Sequence, residues 1–192
     1  MYHIKDTKRS RFNAEELGKG LILCLQTKPL NQVSISDLHR ITGISRSTIY
    51  RLFDTPEDVL YYLCAQYMEQ MADYFNNHTF SNIRELSVAS IKLSIEKNEL
   101  LEILVNNNRL DLLTEIYAAN FQHILSRIPA AQMKDEVTNE YLYSFLYMTM
   151  SAVQTTWVKR GKTENSEQLF EYLKEYGTML AHLFDAEIQE KL

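Results

Sequence analysis

The sequence is poor in the residues that interrupt secondary structure, with three prolines and five glycines among 192 residues. A protein built of many short strands would need far more turn residues, so we expect long helices joined by short loops. No apolar run approaches the roughly 18 residues that a membrane span needs. The segment from Met1 to Phe12 is polar and basic, unlike a secretory signal. These features predict a cytoplasmic helical protein with no membrane partner.

Residues that carry catalysis or bind metals are also scarce. Cys24 and Cys64 are isolated thiols, which we expect to be small buried residues of a reducing compartment, in preference to a disulfide or redox switch. The five histidines are scattered without metal-ligand spacing, and no glycine-rich phosphate loop is present. The sequence therefore predicts no enzyme activity, no metal and no cofactor.

The charge of the chain is divided unevenly along its length. The whole sequence carries a formal charge of −5, yet residues 1–53 hold nine Lys and Arg against four Asp and Glu. The remaining residues hold 11 basic and 21 acidic side chains. A basic front on an acidic body suits a protein that presents one end to phosphates, although a charge bias of this size also occurs on a merely solvated face.

Start and stop signals predict two short helices near the front. Ser34 and Asp37 form a capping-box pattern, so one helix should begin near Ser36 and stop at Gly43. A second should run from Arg46 to Phe53. A long helix should follow Thr55, where a cap, a proline and two acids succeed one another.

The rest of the chain has helical periodicity throughout, which brings the predicted total to nine helices. The first helix carries an apolar stripe from Leu17 to Leu25. The long helix that follows Thr55 should include Val59–Phe75, and the later ones are expected at Ile83–Lys97, Glu99–Val105, Leu110–Ile128, Val137–Val158 and Ser166–Glu190.

Two short helices joined at Gly43 have the form of a helix-turn-helix, with Ile41, Ile44 and Ile49 expected to hold the pair together. The second helix is apolar on its inward side and bears hydroxyls and guanidiniums outward, groups that donate to phosphate oxygens and guanine edges. No acid occurs between Leu38 and Phe53.

Residues 12–63 resemble the DNA-binding domain of TetR-family regulators. The resemblance is carried by the sequences KP (28–29), SISDL (34–38), GISRSTIYRLF (43–53) and EDVL (57–60). It implies an all-α, nine-helix TetR-like fold with a helix-turn-helix DNA-binding domain at 9–69. A regulatory, dimerisation and ligand-binding domain would follow at 70–192. The implied function is a repressor that binds a palindromic operator as a homodimer and is released by a small-molecule effector. The alternative is a TetR-like interaction protein or co-activator that works through a protein partner.

The resemblance also implies roles for individual residues. The positions that match DNA-contacting ones are Ser34, Ser36, Arg46, Ser47, Thr48, Tyr50 and Arg51. Some residues depart from the family pattern: Pro56 stands where a phosphate-binding lysine is common, and His39 and Thr42 replace small apolar residues. We expect His39 to point to solvent, and the alternative is that it changes the angle between the two short helices. Gly20 replaces a helix-favouring alanine, which would cost about 1 kcal/mol if nothing compensated it.

For the body, the helix at 137–158 is apolar on two faces and must be covered on both. Pairing of the last two helices with their symmetry mates would cover the second face, although an ordinary monomer core is the alternative. Candidate lining residues of an effector pocket are Asn107, Arg109, Tyr117, Phe121, Phe145, Met148 and Trp157. Aromatic and methionine residues at this spacing also suit a plain core, and a solvated loop charge is the simpler interpretation of Arg109.

Overall fold

The computed structural model describes residues 2–96, 98–113 and 136–189. In that part of the chain all regular secondary structure is helical, which confirms the all-α prediction. The α-helices are α1 (Lys8–Leu25), α2 (Ile35–Thr42), α3 (Arg46–Leu52), α4 (Pro56–Asn77), α5 (Ile83–Glu96), α6 (Asn98–Asn106), α7 (Glu136–Lys159) and α8 (Ser166–Gln189), with a short 3-10 helix at Leu30–Gln32. Most of the helix predicted from Leu110 to Ile128 lies outside the described residues. The part that is described, residues 111–113, is helical.

The helix starts in the front of the molecule follow the caps read from the sequence. Ser34 and Asp37 form a reciprocal capping box at α2, and Thr55 and Asp58 form another at α4, with Pro56 in the first turn. The Ser45 hydroxyl caps α3 by accepting the Thr48 N–H. Each such cap satisfies backbone donors that have no partner inside the helix.

Helices α1 to α4 form the head of the molecule around one apolar core. Its fully buried side chains include Leu17, Leu21, Leu38, Ile49, Phe53 and Leu60. Burial of each such side chain stabilises the fold by roughly 1.5–3 kcal/mol. Cys24 and Cys64 are free and buried, as predicted, and burial raises the pKa of the Cys64 thiol to about 12.

Helices α1 and α2 pack closely together at Gly20. A Cβ placed on Gly20 would lie 2.3 Å from Thr42 Cγ2, so glycine is required for these helices to pack at this distance. The low helix propensity of Gly20 is therefore offset by the close packing of α1 against Thr42, which a larger residue at position 20 would prevent. The expectation that Ile41 helps to hold α2 against α3 is wrong, because this side chain is 40% exposed.

The long helix α4 passes from the head into the body, so the domain boundary predicted at residues 69 and 70 falls inside one continuous helix. In the body, α5 lies along α8, and Arg84 of α5 bonds Glu167 and Glu171 while stacking on Phe170. Ser94 accepts hydrogen bonds from the buried Tyr67 hydroxyl and from the Gln154 amide, each at 3.1 Å.

Helix α7 has the two apolar faces expected from its sequence. Trp157 is buried on the inner face, and its Nε1 donates to the Glu164 carbonyl at 2.9 Å. The outer faces of α7 and α8 instead expose large apolar side chains, namely Tyr141, Phe145, Met148, Tyr172, Tyr176 and Met179. No helix in the described ranges is long and apolar enough to cross a bilayer.

Candidate nucleic-acid interface

Helix α3 is rooted in the core of the head along its inner side. Ile49 is fully buried, and Leu52 and Phe53 at its end are buried as well. This packing sets the rotation of the helix about its axis, so its other side is presented to solvent. Arg46, Ser47, Tyr50 and Arg51 are all exposed there, with Tyr50 at 57%.

Three hydroxyls meet at the start of α3. Ser45 Oγ lies 3.1 Å from Ser47 Oγ and donates to Thr48 Oγ1 at 3.0 Å, while it accepts the Thr48 backbone N–H at 3.3 Å. Because Thr48 accepts from Ser45, its own hydroxyl hydrogen is available to an outside acceptor. The Thr48 side chain is half-buried, so it reaches only a group that approaches α3 closely.

The start of α2 is a charged cluster centred on Asp37. Its carboxylate binds Lys28 Nζ at 2.5 Å and Arg40 at 2.9 Å. It also accepts the Ser34 hydroxyl at 2.6 Å. Bonds from Lys28, and then from Ser34, hold the pKa of the Asp37 carboxyl well below its usual range. The Ser34 hydroxyl thus already donates its hydrogen to Asp37, so it cannot donate to a phosphate at the same time. The exposed Ser36 is the better placed of the two serines to donate to a phosphate.

The electrostatics of this surface favour an anionic partner. Arg46 and Arg51 form no ion pair with the described residues, and the acid-free stretch from Leu38 to Phe53 includes both. A guanidinium group that forms no ion pair within the protein can bind phosphate or the edge of guanine in a bidentate manner.

The turn between α2 and α3 is held by hydrogen bonds of His39 and Thr42, which the sequence did not predict. Gly43 takes a φ of 70°, which favours glycine. The exposed His39 donates from Nδ1 to the Ile44 carbonyl at 2.9 Å. The Thr42 hydroxyl donates to the Leu38 carbonyl at 2.7 Å and accepts the Ile44 N–H at 3.2 Å. These bonds fix the angle between the two helices.

A second feature missed by the sequence reading is the N-terminal segment, residues 2–6. Tyr2 pairs in an antiparallel bridge with Phe53, the residue that follows the last residue of α3. The only sequence signal for it is the alternation of Tyr2 and Ile4 with polar residues, and both side chains pack against the core.

The candidate pocket residues of the body do not come together in the described part of the chain. Phe145 and Trp157 line a groove of about 650 Å³ between α7 and α8, and Met148 lies on the exposed outer face. Tyr117 and Phe121 lie outside the described residues. An effector pocket formed by these residues stays a prediction.

Asn107 and Arg109 lie instead at the junction of head and body. Asn107 Oδ1 accepts the Leu30 N–H at 2.7 Å, and Arg109 binds Asp111 at 3.1 Å and also Glu57 at the start of α4. With 22% of its side chain exposed, Arg109 is not a solvated loop charge, so that interpretation is wrong. The loop after α6 is thereby bonded to two elements of the head.

No protein-family model and no curated protein matches this sequence. Solved structures do match. A TetR-family transcriptional regulator from Syntrophomonas wolfei aligns with a TM-score of 0.66 at 15% identity, over 89% of this chain and 95% of that one. A TetR regulator from Streptococcus agalactiae aligns with a TM-score of 0.62 at 16% identity, over 84% and 91%.

A third match is the dihydroxyacetone kinase operon activator DhaS, with a TM-score of 0.60 at 13% identity over 90% and 96% of the two chains. The likeness extends over the head and the body together, since in each case it covers more than four-fifths of both chains. This chain has the fold of the TetR-family transcriptional regulators.

Proposed function

We propose that this protein is a transcriptional regulator that binds operator DNA through α3. The observation that carries the proposal is the construction of this helix. Its inner side is packed into the core through Ile49 and Phe53, and its outer side exposes hydroxyls together with guanidiniums that form no ion pair with the described residues. A seven-residue helix of this kind fits the major groove, where its first residues reach base edges and the flanking hydroxyls bind phosphates.

The proposed DNA-binding form is a homodimer on a palindromic site. One short recognition helix reads too few base pairs for useful specificity, so two half-sites are needed. The exposed outer faces of α7 and α8 support this form, because monomeric proteins rarely expose several large aromatic side chains in one patch. Two copies of this helix pair would make a four-helix interface.

Release by a small-molecule effector is the proposed mode of regulation. The contacts of Asn107 with Leu30 and of Arg109 with Glu57 support it, because they bond the loop after α6 to the head. A ligand in the body that displaces this loop would also tilt the head, and the two recognition helices of a dimer would lose their half-site spacing. Such an effector acts only through its different affinity for the two arrangements.

Activation is the second candidate for the sign of regulation. It is favoured by one match, since the protein DhaS is described as an operon activator. In that case the body of this protein would recruit a partner protein while α3 still binds DNA. A promoter fused to a reporter separates the two, because deletion of a repressor gene raises expression and deletion of an activator gene lowers it.

The test of DNA binding is selection from a random pool of duplex oligonucleotides by the purified protein. We expect a palindromic sequence whose affinity falls steeply as salt rises. Arg46→Ala and Tyr50→Ala should each weaken binding by about 1–3 kcal/mol. The matched control is Lys92→Ala, which removes one positive charge from the exposed face of α5 in the body.

Retention of full affinity in both α3 variants, or the absence of any preferred sequence, would refute the proposal. A melting temperature for each variant, measured by circular dichroism, must accompany the binding data. Equal loss of affinity in the Lys92 control would point to a general charge effect instead of recognition by α3.

A further inference from the structure

The carboxyl end of α3 is held by the N-terminal segment. The His3 backbone N–H donates to the Leu52 carbonyl at 2.8 Å, next to the antiparallel bridge between Tyr2 and Phe53. Leu52 is the last residue of α3, and carbonyls in the last turn of a helix have no partner within it. The segment therefore supplies a hydrogen bond that the helix itself cannot make.

The Tyr2 ring closes an aromatic cluster at the same point. Its centroid lies 6.3 Å from that of Phe53, 5.6 Å from that of Tyr62 and 6.1 Å from that of Tyr61. Phe53 is fully buried, and it packs edge-on against Tyr62 as well. The end of α3 is thus clamped between the first turns of α4 and the N-terminal segment.

This clamp bears on the surface that faces DNA, because Tyr50 and Arg51 directly precede Leu52. A helix of seven residues has few internal hydrogen bonds and is not stable alone, so its end is set by what packs there. Base contacts require placement within about 0.5 Å, whereas contacts to phosphate carry no sequence information. A loosened end would therefore harm discrimination more than general attraction.

We propose that Tyr2 is a positioning residue for sequence-specific DNA recognition, acting through Phe53 on the direction of α3. This inference rests on the proposed DNA-binding function. If Tyr2 only stabilised the head, its loss would lower the folded fraction and weaken binding to every duplex equally. If it positions α3, its loss would lower the preference for one sequence and leave nonspecific binding in place.

The experiment compares two duplexes in fluorescence anisotropy: the palindrome that the wild-type protein recovers from a random pool, and a scrambled duplex of the same composition. Tyr2→Ala should weaken binding to the palindrome by about tenfold or more, a loss of the size of one base contact, and leave the scrambled duplex within about twofold. Tyr2→Phe keeps the ring and should restore the preference. The control Phe12→Ala removes a 60% exposed aromatic side chain of α1 and should change neither affinity.

A second pair of variants tests the backbone bond without touching the aromatic cluster. His3→Pro removes the N–H that binds Leu52, while His3→Ala keeps it. The proline variant should lose preference for the palindrome and the alanine variant should keep it. This pair decides the matter if Tyr2→Ala does not fold.

Four results would count against the proposal. An unchanged preference in both Tyr2→Ala and His3→Pro, or an equal loss on both duplexes, overturns the positioning role and leaves DNA binding standing. Failure of Tyr2→Phe to restore the preference overturns the role of the ring. If the wild-type protein recovers no preferred sequence, the proposed function fails, and this inference fails with it.

Discussion

The tight contact between α1 and α2 leads to a prediction about two coupled residues. Replacing Gly20 by alanine adds a Cβ that would lie 2.3 Å from Thr42 Cγ2. The methyl group cannot turn away freely, because the Thr42 hydroxyl is held by the Leu38 carbonyl and the Ile44 N–H. The helices must therefore move apart to accept the new atom.

The magnitude follows from two opposing effects. Alanine in place of glycine favours the helix by about 1 kcal/mol, whereas overpacking of a core contact costs about 1–3 kcal/mol. At such a short distance we expect the larger cost, so Gly20→Ala should lower the free energy of unfolding by about 1–2 kcal/mol.

The decisive part of this prediction is that the effect of Gly20→Ala on the free energy of unfolding changes sign when Thr42 is replaced by serine. Thr42→Ser deletes only the obstructing methyl and keeps the hydroxyl. The other atoms near the new Cβ, Ile41 Cγ2 at 3.7 Å and Thr42 Cβ at 3.8 Å, are then in ordinary contact. In the Thr42→Ser background, Gly20→Ala should raise the free energy of unfolding by up to about 1 kcal/mol.

Urea unfolding followed by circular dichroism at 222 nm measures all four proteins of this cycle. Gly18→Ala is the matched control in the same helix, because its Cβ would meet the flexible end of Leu63 instead of Thr42. Its effect should be the same in both backgrounds to within about 0.5 kcal/mol. A Gly20→Ala effect of equal sign and size in both backgrounds would refute the reasoning.

Three further predictions concern other contacts. Asn107→Ala leaves the Leu30 N–H without its acceptor and should lower the free energy of unfolding by about 1–3 kcal/mol in urea titrations, whereas Asn107→Asp keeps an acceptor and should cost less. The lowered pKa of Asp37 means that its carboxylate stabilises the head above the ordinary carboxyl pKa near 4 and loses this effect as pH falls through the folded-state pKa. Asp37→Asn should therefore lower the melting temperature at pH 7. A difference in melting temperature between the wild-type and variant proteins that stays undiminished toward pH 2 would contradict this. Phe145→Glu should shift a dimer toward monomer in sedimentation velocity, while Phe12→Glu, a similarly exposed aromatic position on α1, should leave the mass unchanged.

Local features of the head could be predicted because they depend on neighbours a few residues apart. The capping boxes at Ser34 and Thr55, the turn at Gly43 and the inward burial of Ile49 all follow from spacing within one or two helical turns. The same spacing identified the two apolar faces of α7. Periodicity of this kind needs no knowledge of what lies opposite.

Contacts between distant parts of the chain could not be predicted in this way. By its sequence position Arg109 resembles a solvated loop charge, but in the fold it binds Glu57, which is 52 residues away. Ile41 has the residue type and spacing of a core residue, but in the fold its side chain is 40% exposed. Met148 suits a pocket wall by residue type, yet the packing of α7 leaves it on the exposed outer face.

By itself, the sequence determined the helical class, the position of the helix-turn-helix and the side of α3 that faces solvent. The tertiary structure alone decided how that helix is held: by the turn bonds of His39 and Thr42, by the space at Gly20, and by Tyr2 folding back over Phe53. The physical reason is that a helix pattern records which residues avoid water, whereas the direction of a short helix depends on its partners. Those partners come from remote segments, and their identity appears only when the chain is folded.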